Sequence, residues 1–230
     1  MALTSPPSAV SVGAARDTTP ARATVALREP LLKRPFDVVL AAVMLVASAP
    51  VWLLIAVAIR LDDGGPVFYR QARWGRQQTP FQVLKFRSMV QHADGAAGGV
   101  RQATANDRRV TRVGRVLRAT GLDELPQLLN ILRGEMSFVG PRALAISETD
   151  RDGRPINYET TPGFSRRLQV RPGLTGLATI YLPKDAPSRL KFRTDALYVQ
   201  RLSFWLDVRL VALSFWISFR GRWETRTRKV

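Results

Sequence analysis

The sequence predicts a mostly helical, α/β-type cytoplasmic domain preceded by an N-terminal re-entrant membrane helix hairpin and edged by interfacial amphipathic helices. Three observations predict it. Val38 to Ile59 is a run of 22 uncharged residues broken by Pro50. From Gly64 the chain becomes Arg-rich and mixes short β-patterned runs with helical spacings. Tyr198 to Phe219 is apolar and aromatic yet carries Arg201, Asp207 and Arg209, which suits a helix lying in a membrane interface.

Residues 1–30 hold Pro, Ser, Thr and Ala without hydrophobic periodicity and read as a disordered tail. Residues 31–62 contain the apolar run. At ~1.5 Å per residue it would reach roughly 33 Å, the thickness of a bilayer core. Proline removes a backbone hydrogen bond and kinks a helix, and Ser48 can bond a freed carbonyl. Two architectures follow: a kinked span, or a helix that dips in, turns at Pro50 and returns. Lys33 and Arg34 precede the run, and Arg60, Arg70, Arg73 and Arg76 follow it. Basic flanks on both sides favour the hairpin, with both ends cytoplasmic.

Residues 63–220 form the predicted soluble domain, with 221–230 as a basic tail. Val67–Tyr69 and Phe81–Leu84 read as strands, and Gln91–Ala105 as a Gly/Ala-rich loop. Val110–Thr120 has Val113, Val116 and Leu117 at helical spacing. Leu122–Leu132 reads as a second short helix, with Pro126 tolerated in its first turn and Gly134 closing it. Tyr198–Phe219 would lie in the interface with Trp205 and Trp216 at headgroup depth.

Composition excludes several chemistries. There is no Cys, so no disulfide, thiol nucleophile or cysteine zinc site is available. A single histidine, His92, rules out a multi-His metal cluster. Catalysis must come from carboxylates, hydroxyls, Lys or Arg. The net charge of +17 calls for an anionic partner, but no nucleic-acid recognition motif is present.

The chemistry-bearing feature is Asp123-Glu124, set among arginines at the start of the second short helix. Carboxylates there sit at the positive end of the helix dipole. Two adjacent carboxylates can share Mg²⁺ with substrate phosphates, and an ionised Asp can attack phosphorus to give an acyl phosphate. The same residues also fit plain N-terminal capping, so spacing alone leaves both readings open.

The segments around the dyad carry more. Lys33–Asp37, Gly65–Gln71 with Arg73 and Gly75, Phe81–Met89, Gly114–Asn130, Gly134–Arg142, Val170–Gly176 and Asp195–Asp207, in that order, resemble the bacterial sugar transferase family. These are the monotopic polyprenyl-phosphate phosphoglycosyl transferases, here in a minimal form. The resemblance implies transfer of a sugar-1-phosphate from a nucleotide diphosphate sugar to undecaprenyl phosphate. It implies Mg²⁺ as cofactor and a place on the cytoplasmic face of the bacterial inner membrane, among its phospholipids. The product would start an exopolysaccharide, capsule or O-antigen; no nucleic acid is involved, and a homodimer is compatible.

By the same resemblance Asp123 would be the nucleophile, and Glu124 would assist through Mg²⁺, both carboxylates serving as metal ligands. Lys85, Arg87, Arg118, Arg142 and Arg171 are the candidate phosphate-binding cations. Pro50 and Ser48 would shape the hairpin turn. Departures from the family pattern are Ala49 before Pro50, Ala143 after Arg142, and Leu177–Pro183 after the Pro172–Gly176 segment. The competing reading is a non-catalytic, membrane-tethered basic module that binds anionic lipid or nucleic acid.

Overall fold

The computed structural model describes residues 27–91, 93, 100–101, 107–149, 156–183 and 186–220. The tail to residue 26, His92 with most of the Gly/Ala-rich loop, and the basic tail 221–230 lie outside the described residues.

Helix α1 is Lys33–Asp63 and runs through Pro50. Its inward residues come at helical spacing in two groups, Lys33, Asp37 and Ala41 at one end and Ile55 and Ile59 at the other. No residue between Ala41 and Ile55 is buried, and Val39, Val43, Val46, Leu53, Leu54 and Val57 are exposed. Each end is tied down separately. Lys33 Nζ donates to Val139 O at 2.8 Å and pairs with Asp207 at 2.6 Å, while Arg34 donates to the carbonyls of Ile131 and Leu132. At the far end Asp62 Oδ2 accepts from Val113 N at 3.0 Å, and Asp63 pairs with Arg87. Ser48, two positions before the proline, accepts at Oγ from Trp52 Nε1 at 3.0 Å and donates to Leu45 O at 3.4 Å.

Strands β1 (Phe68–Trp74) and β2 (Pro80–Phe86) form an antiparallel pair with Tyr69 opposite Lys85. The strands predicted over 67–69 and 81–84 are thus real but longer. Along β2, Phe81 and Val83 are buried and alternate with exposed or half-buried Gln82 and Leu84, the period-2 signature of a one-sided strand. Two further pairs are short and parallel: β3 (Val100–Arg101) with β5 (Glu148–Thr149), and β4 (Ser137–Val139) with β6 (Gly173–Thr175). Helices dominate, as expected, and the described strands form three separate two-stranded ribbons rather than one sheet.

Helix α2 (Arg112–Thr120) is capped by Thr111, whose hydroxyl accepts from Gly114 N, and stops at Gly121 in the left-handed region, φ +76°. The predicted single helix over 122–132 is instead two pieces. Leu122–Glu124 is a 3-10 turn, and α3 begins at Gln127 and ends at Arg133. Pro126 has no N–H to continue the turn and sits at the N-cap of α3. Asn130, fully buried, sews α3 to β2: it donates to Gln82 O at 2.7 Å and accepts from Leu84 N at 3.0 Å.

The C-terminal part adds α4 (Phe164–Arg167), α5 (Leu177–Tyr181), α6 (Ser188–Gln200) and α7 (Phe204–Phe219). The stretch predicted as one interfacial helix is broken at Arg201–Ser203, where Ser203 caps α7 by accepting from Leu206 N. Helix α7 buries Asp207, Leu210, Val211 and Ile217 and leaves Trp205 and Trp216 exposed. The main core joins Ala41, Leu128, Ile131, Phe138, Ile180, Tyr198 and Leu210; a second cluster joins Ile55 and Ile59 to Phe86 and Leu117.

Candidate active site

A cavity of about 480 Å³ is lined by β1, β2, the 3-10 turn, the loop after β4, α5 and α6, within the range of small-molecule sites. Asp123 and Glu124 form its wall. They stand on a 3-10 turn held between the left-handed Gly121 and Pro126, so two chain-terminating signals set their position. Both are buried. A helix dipole is not what holds them, because they precede the short α3 rather than open a long helix.

Glu124 Oε1 accepts from Lys85 Nζ at 2.6 Å and from Arg142 Nη2 at 3.3 Å. Burial alone would raise the Glu124 carboxyl, but Lys85 and then Arg142 outweigh it and hold the group below the usual carboxylate range. Its other oxygen, Oε2, is buried without a partner. An acceptor left empty beside a second carboxylate fits a cation site, and Asp123 and Glu124 are the residues that could hold one. No group of three His, Cys, Asp or Glu meets among the described residues, so phosphate oxygens of a substrate would have to complete the coordination of a Mg²⁺ ion.

Of the five predicted phosphate-binding cations, Lys85, Arg87, Arg118 and Arg142 line the cavity. Arg171 does not. Its guanidinium pairs with Glu29 at 3.1 Å and its N–H donates to the same carboxylate at 3.2 Å, which places it against the segment before α1.

Three cations outside those five also line the cavity, Arg73, Arg167 and Lys191. Arg73 on β1 donates to Ala143 O and to Gln71 Oε1. Burial, and next the charge of Arg142, lower its proton affinity to about 10, so it stays a cation at neutral pH. Arg167 at the end of α4 is buried. It pairs with Asp195 at 3.0 Å, lies 4.3 Å over the Phe192 ring and donates from Nη2 to Arg142 O at 2.6 Å. Arg73 and Arg167 therefore grip consecutive carbonyls of the segment that carries Arg142. Arg73 lies in a motif segment singled out above, as does Asp195; Arg167 has no local signal, since its meaning comes from helix α6.

That segment is set by close backbone contact. A Cβ on Gly140 would come within 2.4 Å of Arg171 O, and one on Gly173 within 2.0 Å of Gly140 N. The two glycines let β4 and β6 run on into each other, with Gly140 N donating to Thr175 O at 2.9 Å. Helix α6 presents Ser188, Lys191, Phe192 and Asp195, one face at helical spacing, to the cavity. Tyr158 also lines it, and burial together with Glu148 pushes its phenol up to about 12. From the departing segment 177–183, Ala178, Thr179, Leu182 and Pro183 reach the lining.

A buried carboxylate pair thus faces a cavity that Lys85, Arg142 and further cations also line. The chain belongs to the bacterial sugar transferase family, whose model matches residues 28–221. It is 45% identical over 186 residues to a UDP-glucose:undecaprenyl-phosphate glucose-1-phosphate transferase of Caulobacter vibrioides, covering 79% of this chain and 67% of that one. It is 42% identical over 186 residues to the exopolysaccharide production protein PSS of Rhizobium leguminosarum bv. phaseoli, covering 79% and 92%. An Escherichia coli UDP-glucose:undecaprenyl-phosphate glucose-1-phosphate transferase is 42% identical over 195 residues, but the match spans only 40% of its length.

Proposed function

We propose that this chain transfers a sugar-1-phosphate from a UDP-sugar to undecaprenyl phosphate, on the cytoplasmic face of the membrane, through a covalent intermediate on Asp123. The observation that carries the reading is the gathering of Asp123, Glu124 and four of the five predicted cations in one cavity.

In the first step an Asp123 carboxylate oxygen attacks the β-phosphorus of the donor. The bond from that phosphorus to the bridging oxygen breaks, and UMP leaves with the electron pair. In the second step an oxygen of undecaprenyl phosphate attacks the same phosphorus. The aspartyl oxygen departs, the carboxylate is restored, and a polyprenyl diphosphate sugar is formed. Two anions approach a carboxylate in this scheme, and the charges of Lys85, Arg118, Arg142 and Arg73 offset their repulsion. Glu124 holds Lys85 and Arg142 in register. Mg²⁺, held by Glu124 and Asp123, would supply further neutralisation of phosphate charge.

The membrane helix reads as re-entrant. Both ends of α1 are bonded to the same body, and only its middle, apolar stretch is without buried residues. A glycan such as an exopolysaccharide is the expected end use.

The test is mass spectrometry of the full chain incubated with UDP-glucose and Mg²⁺ but no acceptor. The expected result is a phosphoglucose adduct on the peptide holding Asp123, labile to hydroxylamine, and absent in Asp123→Asn. An adduct on another residue, or full transfer by Asp123→Asn, refutes the covalent role. Absence of UMP release with UDP-sugars in the presence of polyprenyl phosphate refutes the transferase.

A further inference from the structure

Arg167 stands apart among the cations that line the cavity. It is 3% exposed, and one edge of its guanidinium is engaged by the protein itself. Nε and Nη2 both reach Asp195 Oδ2, at 3.1 and 3.0 Å, and Nη2 also donates to Arg142 O at 2.6 Å. The Phe192 ring covers a face of the guanidinium at 4.3 Å. A group so committed is a poor phosphate ligand, because these bonds would have to break first and the paired carboxylate offsets its charge. Asp195 is also 3% exposed, and its negative charge would repel a phosphate. Burying such a pair gains little stability by itself, so its use lies in what it holds.

What it holds is the backbone of Arg142. The Arg142 side chain is 48% exposed and reaches Glu124 Oε1 at 3.3 Å, whereas Lys85 reaches the same oxygen at 2.6 Å. A long, half-exposed side chain has many rotamers, so fixing its root narrows where the guanidinium can lie. Gly173 N donates to Pro141 O at 2.9 Å on one side of that root, and Trp74 N donates to Leu144 O at 2.9 Å on the other. Between them the Arg142 carbonyl is tied to α6 through Arg167 and Asp195.

We propose that Asp195 is a positioning residue for phosphate transfer. Through Arg167 it fixes the Arg142 backbone, and so aims the Arg142 guanidinium at Glu124 and at the phosphate beside the dyad. Neither Asp195 nor Arg167 touches the substrate. A cation aimed in advance needs no reorganisation when charge develops on the phosphoryl oxygens. This deepens the transferase reading and rests on it for what Arg142 does.

The test is a double-mutant cycle on the full chain in detergent, pairing Asp195→Asn with Arg142→Gln. It is read twice: as UMP release from UDP-glucose with polyprenyl phosphate, and as affinity for inorganic diphosphate with Mg²⁺. Asp195→Asn alone is expected to lower kcat/KM about tenfold, short of the ~100-fold that a 1 Å misplacement can cost. The loss should fall mainly on kcat, with KM within about twofold, because aim matters most in the transition state. Diphosphate affinity is expected to fall about threefold. With Arg142→Gln already present, adding Asp195→Asn is expected to change either readout by less than about twofold. A general loss of packing would instead lower both backgrounds alike. Asp195→Asn strands a buried guanidinium, so a second variant removes the whole pair: Arg167→Met with Asp195→Leu. It leaves no charge of the pair buried and cuts the bond to Arg142 O. It is expected to show the same deficit and the same dependence on Arg142.

An equal loss in both backgrounds overturns the proposal and points instead to Lys191, whose charge also acts on Asp195. No loss in either background overturns it too. If the wild type releases no UMP from any UDP-sugar, the transferase reading fails, and the diphosphate cycle still decides whether Asp195 acts through Arg142. A wild type that also binds no diphosphate overturns both.

Discussion

Lys33 and Asp207 provide a quantitative test of how the membrane helix is joined to the catalytic body. Both side chains are almost inaccessible, at 1% and 2%, and their charged atoms are 2.6 Å apart. Burial pushes the Asp207 carboxyl up, and Lys33 opposes the rise. Asp207→Asn keeps the shape and removes the charge, leaving the buried ammonium hydrogen-bonded to Val139 O at 2.8 Å and Tyr198 OH at 3.3 Å, with the Asp37 carboxylate as the remaining opposite charge nearby. Breaking a buried pair from one side costs about 3–5 kcal/mol, and the two remaining acceptors argue for the lower end, about 3 kcal/mol. At ~2–4 °C per kcal/mol for a domain of this size, the melting temperature should fall by roughly 6–12 °C. The assay is thermal unfolding of the detergent-solubilised chain, followed by tryptophan fluorescence. Lys33→Met combined with Asp207→Leu should recover most of the loss, because removing both charges removes the desolvation penalty as well. A fall below about 2 °C in the single variant, or a double variant no better than the single, would refute the reasoning that the pair is an interlocked charge rather than a surface-like contact.

Glu124→Gln should lower transfer by a nearly constant factor between about pH 5 and 8, where the carboxyl (ordinary value ~4.3) is already ionised. The sign follows from its depressed folded pKa: the stabilisation is present above the unfolded value and is lost only as pH falls through the lower folded one. Disappearance of the variant's deficit at pH 5 would contradict this. For topology, single cysteines in Arg28→Cys and Arg70→Cys, probed with an impermeant thiol reagent in spheroplasts, should both stay unlabelled until lysis. Labelling of just one before lysis would make α1 a span.

Local patterns carried a good part of the fold. The β1–β2 pair, α2 with its Thr111 cap, and the apolar α1 all follow from alternation, helical spacing and stop residues within a short window. Apolar spacing predicts a single helix over 122–132, whereas Gly121 and Pro126 between them leave room for one 3-10 turn. Asp207 read as an interfacial interruption, whereas it is the buried partner of Lys33; nothing near position 207 reveals a lysine so distant in sequence. The site divides the same way. The structure brings the dyad and four of the five cations from the motif segments to one cavity, but Arg171 turns to Glu29, and Arg73 and Arg167 reach their places only when β1 and α4 are folded against the segment of Arg142.

The attachment of α1 also sets an order of events in the cell. Lys33 and Asp207 are 174 residues apart. At a synthesis rate of roughly 5–20 residues per second, the ribosome delivers the aspartate roughly 10–35 s after the lysine. For that interval the helix has no body to dock on, and Asp37 lacks the Ser137 and Phe138 groups that later bond it. An apolar segment cannot wait in water for so long without aggregating, so it must enter lipid or a chaperone first. The catalytic body then forms around a helix already lodged, and α7, the last of the described helices, completes the joint.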